Sequence, residues 1–175
     1  PGPDHITKAI VKSIPSNILA AHFNLWLLAG VVPQPLYEAT TILIPKSSSS
    51  STPPEFRPIT MASIVIRLMN RILAIRLDAH IPMSPRQKAF RRGDGLADNA
   101  LILRHILTHC KTKLTPLNIC FIDVAKAFDT VPHDTAIHAM HRLGVPHLYT
   151  TYLANTYALN TTRLVVGGEQ SDPVH

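Results

Sequence analysis

Cysteine is scarce in this 175-residue sequence, since only Cys110 and Cys120 occur. Two cysteines are too few for a disulfide framework or, by themselves, for a structural zinc site, which predicts an intracellular, reducing environment. The amino-terminal residues lack the basic-then-apolar order of a secretory signal. A long apolar run is also missing, because the longest one, Ile18 to Val32, contains His22 and Asn24. This run is too short and too polar to predict a membrane span.

Acidic residues are few relative to basic ones, with 11 Asp and Glu against 17 Lys and Arg and a net charge of +6. The excess is local, because the stretch from Arg57 to Lys113 has 11 basic and 3 acidic residues, a net +8. With 46% apolar residues, the composition is that of a folded chain rather than a disordered one. The basic middle indicates a surface that faces a polyanion, with a solvated helix face as the alternative.

Helical and extended segments follow one another along the sequence. Apolar residues at helical spacing predict helices at Thr7–Ala29 (interrupted near Pro15), Ser63–Asp78 and Ala97–Cys110, and further helices that begin at Pro132 and Pro146. Short apolar or β-branched runs predict strands at Thr40–Ile44, Leu117–Val124 and Arg163–Val166. Gly167 and Gly168 then predict a hairpin turn whose second strand begins near Ser171.

Asp123 stands near the carboxyl end of the predicted strand Leu117–Val124. A carboxylate in that place is unfavourable unless a cation or a hydrogen-bond donor satisfies it, and ligand sites gather at strand ends in α/β folds. A hard divalent cation is one natural partner because it prefers oxygen ligands. The alternative is that Asp123 only caps the following turn. One carboxylate does not make a metal site, so both interpretations stay open.

Lys46 and Arg57 flank the serine-rich segment Ser47–Ser51, which predicts a mobile surface loop. If the segments on either side pair as strands, they bring the two basic residues close together. Lys46 would then offer a point charge, and Arg57 a planar fork of donors, to a polyphosphate. Two solvated basic side chains are the alternative.

Several motifs follow one another along the chain. They are Gly2-Pro3-Asp4, Ile44-Pro45-Lys46 with Arg57-Pro58-Ile59, Gln87-Lys88-Ala89-Phe90, Asp94-Gly95 with Asn99, and the run from Asp123 to Val131. In this order they resemble the reverse transcriptase of non-LTR (LINE-type) retrotransposons, over essentially the whole chain. The Asp94-Gly95…Asn99 spacing and the Arg142-Leu143-Gly144-Val145-Pro146 run are most similar to the branch that inserts into ribosomal DNA.

The resemblance implies a right-hand polymerase of the α/β (α+β) class that is incomplete in this chain. Residues 1–115 correspond to the fingers subdomain, and residues 116–175 to the amino-terminal part of the palm, with its first strand and helices. The implied partners are an RNA template, a DNA primer and deoxynucleoside triphosphates, with no membrane. For the intact element protein the resemblance implies a nuclear location, and it leaves the oligomeric state open.

The resemblance also assigns roles to individual residues. Asp123 matches the first catalytic, metal-binding aspartate and the Val124 carbonyl a second ligand, for two Mg²⁺ ions that activate the primer 3′-hydroxyl and stabilise pyrophosphate. Phe128 matches the bulky residue that packs against the sugar and excludes a 2′-hydroxyl. Lys46 and Arg57 match residues that bind the incoming triphosphate. The residues that would line the template path are Arg67, Arg71, Arg91 and Arg92.

Two motifs of the family are missing, because the sequence contains neither a Gln-Gly nor an Asp-Asp pair. Asp123 is therefore one of three expected catalytic carboxylates, and the chain is expected to be a fragment that is inactive alone. The predicted strand Leu117–Val124, which carries Asp123, should expose an apolar edge, since the paired-aspartate hairpin that would cover it is absent. The alternatives are a non-catalytic nucleic-acid-binding remnant or co-opted retroelement protein, and, within the enzyme class, a group II intron-type reverse transcriptase.

Overall fold

The computed structural model describes residues 1–91, 93–124 and 126–175, and of Phe128 and Asp129 only the backbone. The chain forms two compact units. The first comprises Pro1–Ala79 together with Pro132–His175, and the second comprises His80–Val131. The mixed α/β class is confirmed. The division into fingers and palm stays a prediction.

A four-stranded mixed sheet lies in the first unit, with the strand order β2-β1-β3-β4. Strand β1 (Glu38–Pro45) pairs antiparallel with β2 (Phe56–Ala62) and parallel with β3 (Thr161–Val166). Strand β3 pairs antiparallel with the short β4 (Glu169–Gln170). Branched residues are frequent in β1 and β3 because their side chains fit an extended backbone. Both strands lie where the sequence predicts them.

The hairpin between β3 and β4 turns at Gly167 and Gly168, whose φ angles are 60° and 91°. Positive φ values at both positions suit a two-residue turn, and glycine adopts them without strain. The turn lets β4 begin at Glu169, earlier than the predicted start near Ser171.

The helices begin and end at signals that the sequence carries. They are α1 (Lys8–Ser13), α2 (Ser16–Ala29), α3 (Ile64–His80), α4 (Gly95–Lys113), α5 (Ala127–Thr130), α6 (His133–Arg142) and α7 (His147–Leu159). Pro15 separates α1 from α2, because proline has no N–H and disfavours helix at the preceding residue. Pro132 and Pro146 directly precede α6 and α7, as predicted. Within the described part of the chain, no helix is long and apolar enough to cross a membrane.

The hydrophobic core of the first unit joins α1, α2, α3 and α7. Met69 of α3 is 1% exposed, and Tyr152 of α7 is 2% exposed. The Tyr152 hydroxyl donates a 2.8 Å hydrogen bond to Oδ1 of Asn70, and burial raises the pKa of Tyr152 above its ordinary 10.0. Tyr37 is also buried, and its hydroxyl accepts a 3.0 Å bond from the N–H of Val32. The polar ends of both aromatic residues are thus satisfied inside the core.

Three threonine hydroxyls form one chain of hydrogen bonds across the sheet. Oγ1 of Thr41 in β1 lies 2.8 Å from Oγ1 of Thr60 in β2 and 2.8 Å from Oγ1 of Thr162 in β3. Thr162 donates its proton to the carbonyl oxygen of Ala39 at 3.3 Å. Because each hydroxyl carries one proton, Thr162 accepts from Thr41, and Thr41 accepts from Thr60. The chain of bonds therefore has one direction and ties the three strands together at a buried position.

The second unit is built on α4, which extends beyond the predicted Ala97–Cys110 at both ends. Asp94 caps its amino terminus, because Oδ1 accepts a 3.0 Å bond from the N–H of Ala97. Gly95 approaches the backbone of Lys88 closely, so that a Cβ at this position would lie 2.5 Å from the Lys88 carbonyl oxygen. The Asp-Gly motif therefore serves as both the cap of α4 and its close contact with the preceding loop.

The strand predicted at Leu117–Val124 is wrong, because this segment has no regular secondary structure. It pairs with none of the four strands of the sheet. Its apolar side chains are exposed instead, with Phe121 82% and Ile122 88% exposed. An apolar run becomes a strand only where a neighbouring strand completes its hydrogen bonds, and no described strand does so here. The predicted apolar edge is therefore an exposed apolar segment.

Candidate nucleotide and nucleic-acid binding site

Lys46 and Arg57 lie at one end of the β1–β2 hairpin, where the paired strands were expected to place them. Arg57 stands opposite Ile44 in the antiparallel register, and the N–H of Lys46 donates a 2.9 Å bond to the carbonyl oxygen of Glu55. This register makes Lys46 and Arg57 diagonal neighbours on one face of the hairpin, within reach of each other's long side chains. Both side chains are exposed. The hairpin thus presents two cations together to the solvent.

The two cations differ in the bonds that they already make. Nζ of Lys46 donates a 2.7 Å hydrogen bond to the carbonyl oxygen of Pro54. The guanidinium of Arg57 has no hydrogen bond or ion pair with any residue in the described ranges. The bond to Pro54 uses one of the three N–H donors of Nζ, so both side chains keep donors for a ligand.

The serine-rich loop between the two strands is organised by Glu55. Its Oε2 accepts hydrogen bonds from the N–H groups of Ser51 and Thr52, at 2.6 and 3.0 Å, and its carbonyl oxygen accepts a 3.2 Å bond from Oγ of Ser50. The N–H groups of Thr52 and then Ser51 lower the pKa of the Glu55 carboxyl, and the charge of Lys46 adds a smaller effect. The loop lies at the surface, as predicted, and its mobility stays a prediction.

Glu55 is a residue of the site that the sequence reasoning missed, although the signal is present. Thr52-Pro53-Pro54-Glu55 has the Thr-x-x-Glu spacing of a capping box, and that box forms at the short 3₁₀ turn Pro53–Glu55. Proline at the first position of the turn strengthens the pattern. The box fixes the loop between the strands that carry the two cations.

The lowered pKa of Glu55 predicts how the loop responds to pH. The network is fully formed above pH 4.5, the ordinary pKa of the carboxyl, and is lost as the pH falls through the lowered value. The amide proton shifts of Ser51 and Thr52, followed by NMR, should therefore titrate with a midpoint below 4.5. Glu55→Gln should abolish this titration. A midpoint at 4.5 or above would contradict the hydrogen bonds to Oε2.

Asp123 lies in the exposed segment 117–124 rather than at the end of a buried strand, so the environment predicted for it is wrong. Its side chain is exposed, and Val124 beside it is 63% exposed. A solvated carboxylate needs no cation to offset burial, so the desolvation argument for a metal does not apply in this conformation. Its carboxylate accepts no hydrogen bond from a described residue, and because Ala125 in the following turn lies outside the described residues, the capping role stays a prediction. The metal-binding role of Asp123 stays a prediction from the resemblance.

The donors around Asp123 do not fit a two-magnesium site by themselves. Among the residues that the structure describes, no three His, Cys, Asp or Glu side chains gather as metal ligands would. Two divalent ions about 4 Å apart need several anionic oxygens to offset their mutual repulsion, and Asp123 offers one carboxylate. The Val124 carbonyl adds no formal charge. The expected pair of Mg²⁺ ions stays a prediction from the resemblance.

Two predicted site residues, Arg92 and the side chain of Phe128, lie outside the described residues. Arg91 is half-buried and lines a cavity of about 260 Å³ in the second unit. Lys88 lines the same cavity, and its Nζ lies 3.0 Å from Oδ2 of Asp98. The Gln-Lys-Ala-Phe and Asp-Gly motifs of the sequence thus meet in one place.

Arg67 and Arg71 lie one turn apart on α3, and both are exposed. They belong to the first unit, whereas Arg91 belongs to the second. The basic residues predicted to face a template are therefore contributed by both units of the chain.

The amino-acid sequence that forms these elements matches a known protein family. The model of that family, described as reverse transcriptase (RNA-dependent DNA polymerase), matches residues 44–171, from the end of β1 to just beyond β4. The chain belongs to the reverse transcriptase family.

Curated relatives of this reverse transcriptase chain come from retrotransposons. The chain is 37% identical over 172 residues to the Retrovirus-related Pol polyprotein from type-2 retrotransposable element R2DM of Drosophila melanogaster. The matched region covers 98% of the chain and 16% of that protein. It is 38% identical over 169 residues to the Retrovirus-related Pol polyprotein from type-1 retrotransposable element R2 of Popillia japonica, and this match covers 95% of the chain and 23% of that protein. A third relative is the Probable RNA-directed DNA polymerase from transposon BS of Drosophila melanogaster. It is 30% identical over 152 residues, and this match covers 82% of the chain and 17% of that protein.

The predicted resemblance to non-LTR retrotransposons of the R2, ribosomal-DNA-inserting branch is confirmed by these relatives. The chain spans only 16% and 23% of the length of the two R2 proteins above.

Proposed function

We propose that this chain is the fingers subdomain (residues 1–115) and the amino-terminal part of the palm (residues 116–175) of an RNA-directed DNA polymerase from an R2-type non-LTR retrotransposon. The observation that carries the proposal is the family match over residues 44–171, which contains Lys46, Arg57 and Asp123 in the expected order. The complete enzyme would extend a DNA primer on an RNA template with deoxynucleoside triphosphates, and its place of action would be the nucleus.

Lys46 and Arg57 bind the triphosphate of the incoming nucleotide in this proposal. Their position on one face of the β1–β2 hairpin supports it, because a polyphosphate needs adjacent cations. Arg57 supplies a planar fork that contacts two phosphate oxygens at once, and Lys46 supplies a compact charge. The capping box around Glu55 holds the loop that joins them.

Template and sugar contacts complete the proposed site. The residues proposed to contact the template backbone are Arg67, Arg71, Arg91 and Arg92. Contacts of this kind depend on salt and not on base sequence. Phe128 is proposed to pack against the nucleotide sugar, where its ring would exclude a 2′-hydroxyl and so favour deoxynucleotides.

Asp123 and the Val124 carbonyl are the ligands that this chain would contribute to the magnesium site of the complete enzyme. The other carboxylates of that site would come from residues outside the chain, because the sequence has no Asp-Asp pair. We therefore expect the chain alone to bind nucleic acid and nucleotide without catalysing synthesis.

The proposal is tested by measuring how tightly the 175-residue chain binds an RNA–DNA primer–template, with and without Mg²⁺ and a deoxynucleoside triphosphate. We expect binding to tighten when the deoxynucleotide complementary to the template is present, and to tighten less with the matching ribonucleotide. Binding that ignores nucleotide and Mg²⁺ alike would overturn the proposed nucleotide site.

That contrary outcome would favour a second candidate, a non-catalytic nucleic-acid-binding protein. The observation behind this candidate is the excess of basic residues between Arg57 and Lys113, in a sequence that contains neither a Gln-Gly nor an Asp-Asp pair. The reading frame downstream of the encoding sequence separates the two further, since a frame with neither a Gln-Gly nor a paired-aspartate motif excludes an active polymerase.

A further inference from the structure

A groove of about 360 Å³ separates α1 from α3 in the first unit, and basic residues line both of its sides. Lys8 and Lys12 come from α1, and Arg67 and Arg71 come from α3. Within each helix the two basic residues are four positions apart, so their side chains follow one another along the same face. The groove thus has two rows of positive charge, of which only the arginine row was anticipated from the sequence.

The packing of the two helices explains this arrangement. Val11, between the two lysines, is buried in the core. Ile64 and Leu68 are half-buried and pack against the same core. These three apolar side chains form the floor of the groove, because the buried faces of both helices meet there. The long basic side chains remain exposed at its edges, where their charged ends stay in water.

The groove is lined by positive charge alone. Its lining contains no Asp or Glu, and among the described residues none of the four cations has an ion-pair partner. Helix α1 has no acidic residue, and the single acidic residue of α3, Asp78, follows Arg71 by nearly two turns. Four unpaired positive charges repel one another, and a polyanion in the groove would relieve that repulsion.

The shape and chemistry of the groove favour a single nucleic-acid strand as that polyanion. Two rows of cations match a row of phosphates better than one isolated phosphate. An apolar floor accommodates sugar carbons, whereas no aromatic residue in the lining offers a stacking surface for bases. Without stacking or base-edge contacts, such a groove would hold the backbone and ignore the base sequence.

We infer that the α1–α3 groove binds the phosphodiester backbone of one nucleic-acid strand, with Lys8 and Lys12 as phosphate contacts opposite Arg67 and Arg71. This inference rests on the proposed function, in which the two arginines contact the template. It adds the two lysines of α1 and the groove itself as the place where the strand lies.

The test compares the 175-residue chain with its Lys8→Gln/Lys12→Gln variant. Fluorescence anisotropy with labelled oligouridylate and oligothymidylate, over a series of salt concentrations, gives the affinity and its salt dependence. The plot of log K against log salt has a negative slope, and the loss of two contacts to a single strand should make that slope less steep by about 1.4. The affinity at physiological salt should fall roughly tenfold. The affinity for RNA and the affinity for DNA should fall by the same factor. The Lys8→Arg/Lys12→Arg variant, which keeps both charges, should bind as tightly as the native chain.

The matched control is Lys111→Gln/Lys113→Gln, which removes the same charge from exposed lysines of α4. An equal loss of affinity in this control would overturn the proposed binding in the groove, because net charge alone would then explain the result. The proposed groove would also be overturned if the α1 variant kept the native salt slope, or if millimolar inorganic phosphate displaced the strand. A loss of affinity for RNA but not for DNA would overturn it too. The fluorescence of Trp26, which packs against the core of the first unit, shows whether that unit is folded in the α1 variant, and circular dichroism checks the helix content of both variants.

The same variants also separate this inference from the proposed function. If the α1 variant binds nucleic acid normally while its primer–template complex still responds to the matching deoxynucleotide, the groove is wrong and the proposed function stands. If the variant loses backbone binding while the native chain shows no response to the nucleotide, the groove stands and the polymerase assignment fails.

Discussion

Replacing Met69 with alanine is expected to lower the free energy of unfolding of the first unit by about 2–5 kcal/mol. Met69 is 1% exposed and lies among the core residues of α3. A cavity of about 90 Å³ already borders it between α2 and α3, so the lost side chain would enlarge an existing void. Such a loss is a large fraction of the stability of an ordinary domain. Urea unfolding followed by the fluorescence of Trp26, the single tryptophan, reports on this unit.

Two control variants give the Met69 prediction its specificity. Met69→Leu conserves volume and should cost less than about 1.5 kcal/mol. Met83→Ala removes a methionine that is 41% exposed in the second unit, and should change the Trp26 transition by less than about 0.5 kcal/mol. If Met69→Ala unfolds at the same urea concentration as the native chain, the core described for α1, α2, α3 and α7 is contradicted.

Element boundaries set by proline and glycine could be predicted from the sequence because these residues act locally. Pro132 and Pro146 fix the starts of α6 and α7 through their own dihedral angles, and the Gly167-Gly168 pair fixes the β3–β4 turn. The approach of Lys46 to Arg57 was predictable for the same reason, since one short loop joins their strands.

Pairings between distant parts of the chain could not be predicted in the same way. Thr41 and Thr162 are 121 positions apart, and nothing in either strand names the other as its partner. The α1–α3 groove likewise depends on a meeting of two helices separated by β1 and β2. The error at Leu117–Val124 has the same origin: its composition suits a strand, but a strand forms only beside a neighbour that the local sequence does not specify.

Arg57→Ala is expected to weaken binding of a deoxynucleoside triphosphate by roughly 10- to 100-fold, because a charge-assisted hydrogen bond contributes about 1.5–3 kcal/mol. The Arg57 guanidinium has no bond to surrender to a ligand among the described residues. Lys46→Ala should cause a smaller loss, since its ammonium contacts phosphate as a point charge and lacks the planar fork of Arg57. Displacement of a fluorescent deoxynucleotide from the 175-residue chain, in Mg²⁺, measures both.

The conservative variant tests the geometry of this contact and not only its charge. Arg57→Lys keeps the positive charge but loses the planar fork, so its affinity should fall between those of Arg57→Ala and the native chain. Lys111→Ala removes the same charge from an exposed position on α4 and should leave nucleotide affinity nearly unchanged. Equal losses for all three alanine variants would show a general effect of charge. A larger loss for Lys46→Ala than for Arg57→Ala would instead make Lys46 the main triphosphate contact.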